Sequence, residues 1–318
     1  MDTKCVRVVG CLLGLLLLGS GVRAEGEWEI VAAGERALQR GLDWLVRNQG
    51  PEGNWTSNDL GLVSMGGLAF MSAGHAPGRG EYGDEVQKSL DYVLNNARPT
   101  GLLNISHAQR DMYNHGLSTF VLGQMHGMTT SRDQRLNAIL DRALRLIALT
   151  QCNDGGWDYQ ARRSARGHDL SLAVMQAKAL RSAMDSGLDV SSEVVEKAIR
   201  SVREHYAPRG ARRDARDSEM RELPGQFTYS KGGGGTTIAM AAAGVVCLQD
   251  FGQYDDWRIP KNMEVIGAAI DALPPPNSRN GTMPFDAYTL YYVGQALYQV
   301  GGEDWQRYYP KLRDHLIA

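Results

Sequence analysis

Helical periodicity runs through this chain in pairs, and the pairs recur. Apolar spacing predicts first helices over 35–49, 82–97, 132–151, 191–206, 256–273 and 303–317, and second helices over 59–74, 112–128, 169–186, 236–250 and 286–300. The first helices start 47, 50, 59, 65 and 47 residues apart. Such a period marks an array of helical hairpins, because one hairpin cannot bury its apolar face alone and stacked neighbours can. The longer intervals are loop insertions. The largest, 207–235, carries Pro208, Pro224 and the run Gly232 to Gly235, and is expected to be a loop.

The two members of a pair differ in kind. First helices are amphipathic: Val86, Leu90, Val93 and Leu94 form one stripe while Asp84, Lys88 and Asp91 face elsewhere. Second helices are apolar nearly all round and rich in small residues, as in the stretches from Leu62 to Ala69 and from Ile238 to Gly244. Small residues let helix axes approach closely, which is what inner helices need where several converge. An open superhelix would leave a polar face on its second helices, and these have none. An inner ring of second helices wrapped by an outer ring of first helices is the expected arrangement.

The connections repeat as well. Gln49, Gly53 and Trp55 follow the first helix of one pair, and Gln151, Gly155 and Trp157 stand at identical offsets 102 residues on. Glycine there ends the helix and turns the chain, glutamine bonds freed backbone groups, and tryptophan packs beneath the turn. These Gln-x-x-x-Gly-x-Trp turns resemble the glutamine-tryptophan motifs of squalene-hopene cyclases. The hairpin order is similar to that of protein prenyltransferase β subunits. The stretches from Tyr113 to Thr119, from Gly232 to Ala243 and from Tyr291 to Gly302 resemble exported, uncharacterised proteins of the prenyltransferase and squalene oxidase repeat superfamily. The resemblance spans residues 35–318 and implies an all-α fold, an α/α toroid of tandem helical hairpins with about five and a half hairpins present. Asp304 to Ala318 reads as the outer helix of a sixth hairpin whose turn and inner helix are absent, so the toroid domain, 25–318, is expected to be truncated at the C-terminus.

Lys4 and Arg7 precede an uncharged run from Val8 to Leu18 and the small-residue site Val22-Arg23-Ala24, which together read as a signal peptide over 1–24 with the mature chain starting at Glu25. The protein is therefore expected to be exported, to the periplasm or beyond. No apolar run reaches the roughly 20 residues of a membrane span. With 34 Lys and Arg against 36 Asp and Glu there is no basic excess, which argues against a nucleic-acid partner. Only Cys152 and Cys247 remain beyond the leader, too few for a disulfide framework, so a packed core must carry the stability.

Second helices begin at or beside Asp59, Asp111, Asp169, Thr236 and Asp286, which reads first as ordinary N-capping. In a hairpin ring these starts converge on one rim with the positive ends of five helix dipoles. The candidate binding rim is therefore Asp111, Tyr113, His115, His168, Asp169, Asp286 and Tyr288, and the opposite rim, with short connections, offers less to bind with. Arg162, Arg163 and Arg166, with Arg209, Arg212, Arg213, Arg216 and Arg221, flank that rim, but interleaved Asp214, Asp217, Glu219 and Glu222 make a polyampholyte loop the expected state. Tyr288, Tyr291, Tyr292 and Tyr298 are read as core with satisfied hydroxyls.

No catalytic residue can be assigned. Squalene-hopene cyclases carry an Asp-x-Asp-Asp acid at a helix start, and no helix start here matches it. The Asp-x-Cys zinc pattern of protein prenyltransferases is also absent, the histidines show no tight ligand spacing, and no metal or other cofactor is expected. The expected function is an exported, non-catalytic binding or scaffold module for an apolar small molecule or a protein partner. The alternatives are a divergent isoprenoid cyclase or a two-carboxylate carbohydrate-active enzyme, since fold does not fix chemistry.

Overall fold

The computed structural model describes residues 28–129, 134–212, 215–276, 283 and 285–318. The leader expected at 1–24, the start at Glu25, and Arg213 and Asp214 of the charged loop lie outside the described residues. Each of the eleven helices expected from periodicity is present. The amphipathic set is α1 (Ala32–Asn48), α3 (Gly83–Asn95), α5 (Gln134–Thr150), α7 (Ser192–Arg203), α10 (Arg258–Asp271) and α12 (Gly302–Ile317). The apolar set is α2 (Leu60–Ser72), α4 (Asp111–Met125), α6 (Leu170–Asp185), α9 (Ile238–Asp250) and α11 (Ala287–Val300). A short extra helix, α8 (Asp217–Glu222), lies in the long insertion.

The apolar helices pack in chain order, α2 on α4, α4 on α6, α6 on α9 and α9 on α11, and the amphipathic helices flank them. Nearly every side chain of α6 and α9 is buried, whereas α3 and α5 bury a single stripe. The first and last helices meet: α12 packs on α1, Trp305 Nε1 donates to Glu29 Oε1 at 2.6 Å, and the Tyr309 hydroxyl donates to the Glu29 carbonyl at 3.1 Å. No helix among the described residues is long and apolar enough to cross a membrane.

The two Gln-x-x-x-Gly-x-Trp turns are built alike, and each docks on the next amphipathic helix. Gln49 Nε2 donates to the carbonyls of Gly53 (3.1 Å) and Glu85 (2.9 Å), as Gln151 Nε2 does to those of Gly155 (3.0 Å) and Val194 (2.9 Å). Trp55 Nε1 reaches back to the Leu45 carbonyl and Trp157 Nε1 to that of Ile147, both at 2.9 Å. A Cβ on Gly53 would sit 2.2 Å from the Lys88 carbonyl oxygen, and one on Gly155 would sit 2.1 Å from that of Lys197. These glycines therefore do more than end a helix: they let the turn touch the backbone of α3 or α7. Gly101 makes the same approach to Arg142 of α5, at 2.7 Å, with neither glutamine nor tryptophan around it.

The insertion departs from the all-helical expectation. Instead of a loop it forms a three-stranded antiparallel sheet, β1 (Tyr206–Pro208), β2 (Gly225–Ser230) and β3 (Gly234–Thr236), in that order. Phe227 is its anchor: the side chain is fully buried over Gly244 of α9, its N–H donates to Asn262 Oδ1 at 2.9 Å, and Tyr206 meets it edge-on. One apolar face on a central helix is enough to hold these short strands. The glycine run closes the β2–β3 hairpin, where positive φ is needed.

Candidate functional site

The starts of α4 and α6 meet, and their side chains are engaged with one another. Asp169 caps α6 by accepting from Leu172 N at 3.1 Å, and it also accepts from the Ser171 and Tyr159 hydroxyls. Tyr113 of α4 bonds Ser171 at 2.5 Å, and Tyr229 of β2 bonds Tyr159 at 2.6 Å. His168 lies beside this knot, its ring 4.6 Å from Tyr159 and its Nε2 3.6 Å from Asp158. Burial pushes the Tyr159 and Tyr113 phenols well up, with the Asp169 charge adding to it, so both remain protonated donors. Tyr288 belongs to the same neighbourhood. Its phenol is raised by burial and by Tyr113, Cys247 and Asp169, and its hydroxyl is buried without a partner, contrary to the satisfied hydroxyl expected.

The other members of the expected rim do not join this group. Asp286 caps α11 through Thr289 N at 2.7 Å, and Asp111 ties two loops together by accepting from Asn104 Nδ2 (2.7 Å) and Ala161 N (3.1 Å). At the start of α9 the cap is Thr237, not Thr236, accepting from Met240 N at 3.1 Å. Sequence reasoning missed Tyr159, Ser171 and Tyr229, because two of them enter from a loop and a strand whose course the helical period does not fix. The arginines of the charged loops pair locally, Arg162 with Asp158, Arg212 with Glu219 and Arg221 with Asp217.

His115 is fully buried and faces α5. Its Nδ1 accepts from Leu103 N at 3.2 Å and its Nε2 donates to the Ala143 carbonyl at 3.1 Å, which suits the neutral ring only. Burial holds its pKa down to about 4, as burial and the Lys231 charge do for His205. Both folded values lie below the unfolded value of 6.5, so the unfolded chain takes up protons first. The stability they contribute is complete above pH 6.5 and is lost as the pH falls toward 4. Each contributes up to roughly 3 kcal/mol of acid destabilisation. The urea midpoint should fall between pH 7.5 and 4.5, and the fall should shrink clearly in His115→Gln/His205→Gln. An equal fall in the double variant would place the acid sensitivity elsewhere.

A cleft shared by the central helices opens at their other end. Its volume is about 490 Å³ and all five line it: Leu68 and Ser72 from α2, Phe120 and Gln124 from α4, Lys178, Arg181, Ser182 and Asp185 from α6, Gln249 and Asp250 from α9, and Tyr291, Gln295, Tyr298 and Gln299 from α11. This volume falls in the range of about 300–1,000 Å³ typical of small-ligand sites. The short connections at this end leave the cleft mouth uncovered, so it offers more room than expected of it.

Two ionisable groups in the cleft wall are buried, Lys178 and Asp250 at 4% exposure each. Lys178 Nζ lies 3.5 Å from Asp250 Oδ2, donates to Gln295 Oε1 at 3.1 Å, and sits over the rings of Phe120 (5.4 Å) and Tyr291 (6.0 Å). Gln299 Nε2 donates to Asp250 Oδ1 at 2.7 Å, Asp250 Oδ2 has the Lys178 ammonium alone, and Gln299 Oε1 is buried with no hydrogen-bond partner. An orphan acceptor of this kind costs about 1–3 kcal/mol. Burial raises the Asp250 carboxyl above its ordinary value, against the lowering pull of Lys178 and Gln299. Among the described residues no three His, Cys, Asp or Glu side chains are close enough to hold a metal.

No protein-family model matches the chain, and no curated protein matches it significantly.

Proposed function

We propose that this chain is an exported α/α-toroid protein related to the terpenoid cyclase and prenyltransferase repeat proteins. In this reading it acts as a non-catalytic binding module whose ligand occupies the cleft among the five central helices. The observation that carries the reading is that all five central helices contribute polar and aromatic side chains to one open cleft around a buried Lys178–Asp250 pair. The ring is supported by the chain-order packing of those helices and by the meeting of α12 with α1.

The same side chains argue against catalysis. Protonating an alkene needs an unusually strong acid, and Asp250 is shifted the other way, its carboxyl raised by burial. Hydrolysis by two carboxylates needs both free to act, and the cleft carboxylates are engaged, Asp250 with Lys178 and Asp185 with Arg181 at 2.9 Å. Incubated with the full chain, squalene and cellohexaose should both be recovered unchanged. A compound that binds should raise the melting temperature, and Ser72→Trp at the cleft mouth should abolish the rise while Tyr229→Phe at the opposite end should keep it. A cyclised or shortened product overturns the non-catalytic reading, and loss of protection in Tyr229→Phe alone moves the site to the other rim.

A further inference from the structure

The cleft also specifies the chemistry of what it holds, an inference that rests on the binding role proposed above. Its charges are matched: Lys178 pairs with Asp250 and Arg181 with Asp185, so an ionic ligand finds no counter-charge to spare. A hydrocarbon fits no better, because it would cover the amides of Gln124, Gln249 and Gln295 in the cleft wall and offer them no hydrogen bond. Such walls call for a neutral ligand that brings hydrogen-bond donors and acceptors. The amides of Gln124, Gln249 and Gln295 both donate and accept, and hydroxyl groups are their complement.

The mouth supplies flat apolar surface. Tyr298 is 70% exposed and Tyr254 58% exposed, yet both rings are held. Trp305 meets Tyr298 edge-on with centroids 5.6 Å apart, and Arg181 donates to the Tyr254 hydroxyl at 3.2 Å. Exposed aromatic rings fixed in place beside amide-rich walls suit a ligand with one C–H face and a rim of hydroxyls. We infer that the cleft binds an uncharged oligosaccharide, with the amides of Gln124, Gln249 and Gln295 exchanging hydrogen bonds with sugar hydroxyls and Tyr298 and Tyr254 stacking on pyranose faces.

The test is calorimetric titration of the purified full chain with cellohexaose, mannohexaose and xylohexaose, with trigalacturonate and farnesol as the charged and apolar comparisons. At least one neutral hexaose should bind, and its affinity should fall about tenfold or more in Tyr298→Ala and in Tyr254→Ala at unchanged melting temperature. Binding of only trigalacturonate or only farnesol, weakened by the same variants, overturns the ligand class and leaves the cleft reading standing. A hexaose that binds with equal affinity to wild type and both variants overturns the cleft reading itself. If none of the five probes binds, the assignment to neutral sugars is overturned.

Discussion

Gly155→Ala should cost about 2–5 kcal/mol, with a fall in melting temperature on the order of 10 °C. The residue stands at φ +83, and a side chain there meets two separate penalties. Left-handed backbone costs a non-glycine residue about 1–2 kcal/mol. The second penalty is steric: the new Cβ would lie 2.1 Å from the Lys197 carbonyl oxygen, an atom of helix backbone that cannot rotate away. Either the turn lifts off α7, breaking the two hydrogen bonds of Gln151, or α7 shifts, and overpacking of that kind costs about 1–3 kcal/mol. Gly187→Ala provides the control, since its φ is +74 but a Cβ there has open space around it. It should lose only the backbone part, roughly 1 kcal/mol. Chemical denaturation of the two variants side by side measures the difference. Equal losses would mean that docking of the turn on the next helix does not constrain this glycine.

That comparison also marks what the residues declare and what they conceal. Gln49, Gly53 and Trp55 repeat at Gln151, Gly155 and Trp157, and their spacing alone reveals the turn. What it leaves open is the partner, because the contact with α3 or α7 is made by backbone that has no sequence signature. The turn at Gly101 shows the limit more sharply. Arg98 N donates to the Leu102 carbonyl at 3.0 Å and Gly101 N to that of Arg98 at 2.9 Å, as at the other two turns, yet Ala97 and Leu103 replace glutamine and tryptophan. Only the glycine is indispensable to the geometry, and one glycine is too common to be a motif.

Helix starts were legible for the same reason that they prove structural. An aspartate before an apolar run is a cap signal, and Asp169 and Asp286 cap. The cleft residues carry a subtler signal. Lys178 lies within Ala173 to Leu180, and Asp250 ends the apolar run of α9, where a helix buried on all sides has no solvated face for a charge. A charge in such a run needs a partner on another such helix. Periodicity places both residues on central helices, but the pairing depends on which helices face each other across the cleft. The sheet escaped notice because β1 and β3 are three residues each, too short for alternation to register.

Lys178→Met should destabilise the protein by about 3–5 kcal/mol, because it leaves the Asp250 carboxylate buried with no counter-ion. The loss should depend on pH in a stated direction. Burial already raises the folded pKa of Asp250 above its unfolded value of 3.8, and removing Lys178 raises it further. The folded state then binds a proton that the unfolded chain does not, so stability falls as the pH rises through the folded pKa. The variant should therefore be closest to wild type in acid and furthest from it at pH 7 and above. The double variant Lys178→Met/Asp250→Leu removes both charges together and should return to wild-type stability or exceed it by about 1–4 kcal/mol, as replaced buried pairs often do. A double variant as unstable as the single one would mean that the pair clamps α6 to α9, and the case for the cleft as a binding site would lose its main support. If stability returns while hexaose binding does not, the pair is held at a cost to the fold for the sake of the ligand.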